Sequence, residues 1–205
     1  MAVTTIRRAR PGEAKALAQV IADAFHDLAV CRWMVPDPAE RRRVLPPDFQ
    51  IFVEHGIEHG TVHTTDRLDA VAVWFSDAPE GVPDIPDYDA RVAAACDPYT
   101  ERFRLLDEAM HRAHPTGRSH EHLALLAVAP AGQGAGLGTA LLDARHAYLD
   151  REGIPAYLEA SSLRSRDLYL RNGYVDLGEP FAVPGGPDPA MWPLWRDPAQ
   201  PAKRA

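Results

Sequence analysis

The stretch Leu123-Ala-Leu-Leu-Ala-Val-Ala-Pro-Ala-Gly-Gln-Gly-Ala-Gly-Leu-Gly-Thr-Ala-Leu-Leu142 decides the reading of this chain. An apolar run that stops at Pro130 reads as a strand; it breaks into glycines and passes directly into a helical pattern. A helix starts with N–H groups that have no partner inside it and with the positive end of its dipole, and glycines let a ligand come close to the backbone. Strand, glycine loop and helix together predict an anion site. A tight turn alone requires one or two glycines, yet Gly132, Gly134, Gly136 and Gly138 alternate through the loop, at an entropic cost that a turn does not explain.

Outward from this centre the elements alternate. The helix runs to Glu152 and closes at Gly153, with Pro155 preventing its continuation, and Pro155 to Ser161 reads as the next strand. A short helix from Ser165 to Asn172, closed by Gly173, precedes strands at Tyr174–Leu177 and Ala190–Leu194. Upstream, Thr4–Arg8 reads as a strand and Ala14–Phe25 as a helix with Leu17, Val20, Ile21 and Ala24 on one side. From Ala39 to His59 the helical pattern is interrupted by Pro46 and Pro47, which predicts a kinked helix or two short ones. Thr61–Thr65 and Ala70–Phe75 form a hairpin pattern, Pro79–Asp87 is a proline-rich loop, and Tyr88–His114 is helical with a break at Pro98.

The 205 residues fit one domain, expected over 1–197, with a frayed tail over 198–205. A net charge of -7 argues against nucleic acid as a partner, since no broad basic surface is available to neutralise phosphates. No stretch has the apolar length of a membrane span, and the first residues reach charge before any hydrophobic segment, so no membrane partner and a cytoplasmic location are expected. Cys31 and Cys96 stand far apart without a C-x-x-C pair and read as buried, inert thiols.

Which anion is meant narrows by elimination. The lysine of a G-x-x-x-x-G-K-[ST] phosphate loop is missing. A dinucleotide fingerprint fits Gly134 and Gly136 but meets Thr139 at its third position, with Glu159 near the distance of a ribose-binding acid, so a nicotinamide oxidoreductase is an alternative. His120-Glu-His122 is not H-E-x-x-H, because Ala124 stands where the second histidine belongs, and G-x-S-x-G does not occur. His55 and His59 share a helix face without a third ligand, and no metal is expected.

Gln133-Gly-Ala-Gly136-Leu-Gly138 resembles the [Gln/Arg]-x-x-Gly-x-[Gly/Ala] element of the GCN5-related N-acetyltransferases (GNAT). The preceding Leu-Leu-Ala-Val-Ala-Pro is similar to that family's fourth strand, and Tyr157-Leu-Glu-Ala-Ser161 with Leu168-Tyr169-Leu-Arg-Asn-Gly173-Tyr174 to its fifth strand, short helix and sixth strand. Within the family, Ala70-Val-Ala-Val-Trp74 and Leu158-Glu-Ala-Ser161 are similar to the puromycin acetyltransferase branch. The resemblance implies an α/β fold with a mixed, mostly antiparallel central sheet flanked by helices, whose fourth and fifth strands splay apart. It implies transfer of an acyl group, acetyl above all, from acetyl-CoA or another acyl-CoA to the primary amine of a small molecule by direct attack in a ternary complex. A homodimer is an assembly it allows, and an acyl-CoA-binding sensor without activity is a further alternative.

By the same resemblance, backbone groups of Leu126, Ala127 and Val128 face the pantetheine arm, and the loop Gln133, Gly134, Ala135, Gly136, Leu137, Gly138 and Thr139 holds the pyrophosphate. Tyr169 returns a proton to the departing thiolate, and the Val128 N–H stabilises the oxyanion. Ser165 occupies the place of the family's usual asparagine and keeps one hydroxyl where an amide would offer paired geometry. The amine must lose a proton before it attacks. Alternation along the strand puts His120 and His122 on one face and Glu121 on the other; Glu121 is the expected base and Glu159 a further candidate. The acceptor groove is expected between the first-half helices and the splayed strands, lined by Phe49, Trp74 and Tyr99.

Overall fold

Val71 and Val73 face one way along their strand, Ala70, Ala72 and Trp74 the other, and all five are buried. A strand apolar on both sides belongs to a sheet covered on both faces. The computed structural model, which describes residues 5–199, shows such a sheet. Its strands are β1 (Ile6–Arg8), β2 (Thr61–Thr65), β3 (Ala70–Asp77), β4 (His120–Val128), β5 (Ala156–Ala160), β6 (Val175–Asp176) and β7 (Trp192–Arg196), in the order β1-β2-β3-β4-β5-β7-β6. All neighbours are antiparallel except β4 and β5. Parallel neighbours need a crossover, and helix α6 (Leu137–Glu152) provides it. The sheet is thus mixed and mostly antiparallel, as expected.

On the Val71 face lie α1 (Ala14–Phe25), α2 (Ala29–Met34), α3 (Pro38–His59), α4 (Tyr88–Cys96) and α5 (Thr100–Ala113). On the Trp74 face lie α6 and α7 (Leu163–Arg171). Helix α1 matches its pattern, with Leu17, Ala18 and Ile21 fully buried. Helix α2 was not foreseen; its six residues bury Val30, Cys31 and Met34 but are too few to show a period.

Of the two expected forms, a kinked helix or two short ones, helix α3 rules out the second. Asp37 caps it by accepting from the N–H groups of Ala39 (2.8 Å) and Glu40 (2.9 Å), and the helix continues through Pro46 and Pro47. Each interior proline costs about 3 kcal/mol. Val44 and Leu45 before the pair, and Phe49, Ile51 and Val53 after it, are buried, each returning about 1.5–3 kcal/mol, so packing outweighs the local penalty. Strand β7 starts two residues later than predicted, because Met191 bridges Phe181 instead of entering the ladder. The expected first strand includes Thr4, and the expected tail includes 200–205; these lie outside the described residues.

The feature that makes the site is local to β4. Val73 lies opposite Leu125 but Trp74 opposite Leu123, so Ala124 is an extra residue on β4. Such a bulge bends and twists its strand. Pairing of β4 with β5 is confined to Glu121↔Ala156 and His122↔Tyr157, and from Leu123 onward the two strands part.

Candidate active site

Where the strands part, a cleft of about 1020 Å³ opens, running from the glycine loop past α7 to the first-half helices. At one end Pro130–Gly132 makes a single 3₁₀ turn, and Gly134 and Gly136 both have φ +83°, a left-handed backbone that favours glycine. Gly136 is the N-cap of α6 and offers no side chain to the helix start. The Ala140 N–H bonds to the Gly136 carbonyl (3.0 Å), while among the described residues the N–H groups of Leu137, Gly138 and Thr139 find no backbone acceptor. No acidic side chain stands in the first turn to occupy them. The helix therefore presents open donors and its positive end to the cleft. Gly138 serves packing instead: a Cβ there would meet Leu168 Cδ2 of α7 at 3.2 Å.

Of the expected loop residues, Gln133, Gly134, Gly136, Leu137, Gly138 and Thr139 line the cleft and Ala135 does not. Gln133 donates from Nε2 to the Val128 carbonyl (3.2 Å), tying the loop to the end of β4. Leu126, Ala127 and Val128 also line the cleft. The Ala129 N–H bonds to Asp69 on the β3 side (2.8 Å), so alternation turns the backbone groups of Val128 and Leu126 toward the splay and those of Ala127 toward Val71. Leu126 thus turns its N–H and carbonyl toward the splay and Val128 its N–H, its carbonyl being held by Gln133; Ala127 lines the cleft by its surface alone.

Helix α7 forms the next wall. Ser162 and Ser165 make a reciprocal capping box: each side chain accepts from the other's backbone N–H at 3.1 Å. Ser165 lines the cleft, but its hydroxyl is engaged in starting this helix. One turn on, Tyr169 is buried against Tyr174, ring centroids 5.7 Å apart. Its hydroxyl makes no hydrogen bond among the described residues, the residue lines the cleft, and burial pushes the phenol well above its ordinary pKa.

Glu121 does not reach the cleft. Its carboxylate pairs with Arg145 of α6 at 2.8 Å on the opposite face of the sheet, both side chains largely buried. The face that meets the cleft carries His122, whose Nε2 lies 2.9 Å from Glu159 Oε2. The Glu159 side chain is 2% exposed, and its other oxygen, Oε1, is buried without a hydrogen-bond partner. Burial alone would push this carboxyl up; His122 beside it holds it below the usual value. His114, at the end of α5, brings its Nε2 to 3.2 Å from His120 Nε2, and His120 Nδ1 bonds to the Arg118 carbonyl at 2.8 Å. Ligand atoms of His114, His122 and Glu159 come within 4.8 Å of one another, a grouping the sequence reading missed, since α5 and the two strands are remote in sequence. Phe49 lines the cleft, whereas Trp74 is buried on the α6 face and Tyr99 lies at a separate surface hollow.

The family model for the Acetyltransferase (GNAT) domain matches residues 112–191, which hold β4, the glycine loop, α6, β5 and α7. Over these residues the chain is similar to the GNAT acetyltransferase domain. Solved structures share its fold. The histone acetyltransferase HPA2 and related acetyltransferase of Corynebacterium glutamicum is 24% identical with a TM-score of 0.68, over 98% of this chain and 99% of that one. A mosquito arylalkylamine N-acetyltransferase-like protein, 5b, is 18% identical with a TM-score of 0.63, over 95% of this chain and 100% of that one. The PaiA N-acetyltransferase of Thermoplasma acidophilum, solved in complex with coenzyme A, is 8% identical with a TM-score of 0.60, over 96% and 99%. In the GNAT fold of this chain the dinucleotide alternative loses its basis: the sheet has a single parallel pair, and Glu159 is bonded to His122 within the cleft. No helix among the described residues is long and apolar enough to cross a membrane.

Proposed function

We propose that the protein is an acyl-CoA-dependent N-acyltransferase that moves an acetyl group to the primary amine of a small molecule within a ternary complex. One observation carries this reading. A single cleft joins open N–H donors at the start of α6, the outward backbone of Leu126 and Val128, the free hydroxyl of Tyr169 and the buried His122–Glu159 pair.

Each part suits one step. The donors from Gly136 to Thr139 suit a pyrophosphate, which needs N–H groups and a positive dipole. The backbone of Leu126 and Val128 suits the amide-bearing arm of coenzyme A, as a strand suits an extended chain. The acceptor nitrogen gives a proton to His122, with Glu159 holding that imidazole and stabilising its charged form. The nitrogen lone pair then forms the C–N bond, the Val128 N–H stabilises the oxyanion, and the C–S bond breaks. Tyr169 protonates the departing thiolate; its raised pKa keeps the phenol protonated until sulfur charge develops. The bidentate contact that an asparagine would add is absent, because Ser165 is committed to its capping box.

Thiol release against a panel of primary amines with acetyl-CoA, paired with calorimetric titration of coenzyme A, tests the reading. Coenzyme A binding weakened by Gly136→Ala, and amine-dependent thiol release, are expected. Binding without release on any amine supports the sensor alternative; absence of coenzyme A binding refutes both.

A further inference from the structure

Beyond the reacting end, the cleft continues between α3, α4 and α5 as an aromatic chamber. Phe25 and Phe49 meet edge to face at 5.6 Å, Phe52 and Tyr88 at 5.8 Å, and Phe103 and Met110 complete the walls. Into this apolar space the helices place two carboxylates, Asp48 from α3 and Asp107 from α5. Asp107 accepts from the Tyr88 hydroxyl at 2.7 Å. Asp48 is 5% exposed, and its single hydrogen bond comes from the Cys96 thiol, a weak donor, 3.5 Å from Oδ1; Oδ2 has no partner among the described residues.

Every other largely buried acid near the cleft has a nitrogen partner: Glu121 has the Arg145 guanidinium and Glu159 the His122 imidazole. Asp48 and Asp107 form no ion pair with any described lysine, arginine or histidine. The titratable groups that face Asp48 are Asp107 of α5, Tyr88 and Cys96 of α4 and Cys31 of α2, none of them cationic. Burial, with Asp107 nearby, pushes the Asp48 carboxyl up to about 7. An ionised carboxylate in such a place is strongly disfavoured unless a cation joins it. A purely structural acid would have its oxygens satisfied by firm donors; here the open side is the cleft.

We propose that the acceptor is a dibasic amine with an apolar or aromatic body, one nitrogen delivered to the thioester and the second held as a cation against Asp48 and Asp107. The inference rests on the acyl-transfer reading of the cleft and names the substrate class within it. The two ends of the cleft treat the two nitrogens oppositely. At the His122–Glu159 end a proton is removed, so that the nitrogen lone pair forms the C–N bond as the C–S bond breaks. At the Asp48 end the proton is retained and its charge compensated, while the aromatic walls cover the body and add cation–π attraction. Asp48 is a specificity residue and takes no part in the bond changes.

The test compares 2-[4-(aminomethyl)phenyl]ethylamine with 2-(4-ethylphenyl)ethylamine, in which an ethyl group replaces the second aminomethyl. Calorimetry at about pH 6, in two buffers of different ionisation enthalpy, reads binding without turnover. Wild-type protein is expected to bind the diamine with release of a proton as Asp48 ionises, and Asp48→Asn to weaken that binding roughly tenfold or more and abolish the release. Asp107→Asn, at a half-buried position, is expected to weaken it less and gives a second handle if the first variant folds poorly. Diamine affinity unchanged in both variants, or no diamine binding by the wild type, overturns the proposal. Thiol release is scored separately. Expected binding without release on either amine refutes the acyl-transfer reading but leaves the cation site, whereas transfer to both amines with equal kcat/KM, insensitive to Asp48→Asn, refutes the dibasic acceptor alone.

Discussion

Tyr169→Phe removes one oxygen from a ring that is otherwise packed, and the structure separates what that oxygen does for folding from what it does for transfer. The ring rests on Tyr174 and is 6% exposed, contacts that phenylalanine keeps, and the hydroxyl has no hydrogen-bond partner to lose among the described residues. The unfolding free energy is therefore expected to move by no more than about 0.5 kcal/mol. Loss of a positioned general acid lowers a rate by about 10²–10⁴, equivalent to roughly 2.7–5.5 kcal/mol of transition-state stabilisation. Steady-state thiol release would show this as a fall in kcat with little change in KM for acetyl-CoA, alongside an unchanged urea midpoint. A kcat within threefold of wild type removes Tyr169 from the mechanism. An equal fall in both kcat and stability assigns it to the core.

Three further outcomes follow from the same geometry. Gly136→Ala forces a side chain into φ +83° with nothing within 4 Å to clash; it should cost about 1–2 kcal/mol of stability by urea unfolding and more than tenfold in coenzyme A affinity by titration calorimetry. Glu121→Gln strips Arg145 of its partner on the α6 face and should destabilise by about 3 kcal/mol, while kcat per folded molecule stays as in the wild type; a large loss of kcat would restore Glu121 as the base. Burial, with Arg196 adding repulsion, lowers the His146 pKa to about 4 from 6.5. Between those values His146 is neutral in the fold but charged in the unfolded chain, so its contribution is complete above pH 6.5 and drains away as pH falls toward 4, about 3 kcal/mol in all; urea titrations at both ends should show it, and His146→Gln should flatten the slope.

Much of the site was legible because its signals are local. The alternating glycines marked the loop before α6, Pro130 the strand end and Gly153 the helix end, and each is set by its own backbone; the left-handed φ of Gly134 and Gly136 came with the structure. Tyr169 was singled out through the resemblance of its short helix to that of the GNAT family, and its place in the cleft wall came with the structure. What escaped depends on contacts across the fold. Alternation separated Glu121 from His120 and His122, yet the choice of face is made by Arg145 on α6 and Glu159 on β5, both distant in sequence. Pro46 and Pro47 left one kinked helix or two short ones open, because the burial that keeps the helix in one piece comes from neighbouring helices. His114 and Asp48 carry no motif; the first sits at the end of α5 and the second in mid-helix, and both acquire meaning when those helices close over β4. Ser165 read as a weakened ligand contact, whereas its hydroxyl partners Ser162.

The parting of β4 from β5 after His122 has a consequence of another kind. It creates a sheet edge in the middle of a sheet, and such edges invite any extended chain to pair with them. In this protein the invitation is guarded by depth, since the exposed rungs lie along the floor of a cleft flanked by α7 and the glycine loop. A slender ligand can add itself there as a temporary extra strand, while the edge of another protein is held off. Amide hydrogen exchange at Leu126 and Val128 should accordingly be fast in the empty protein and slow sharply once the cleft is filled, making these two N–H groups reporters of occupancy.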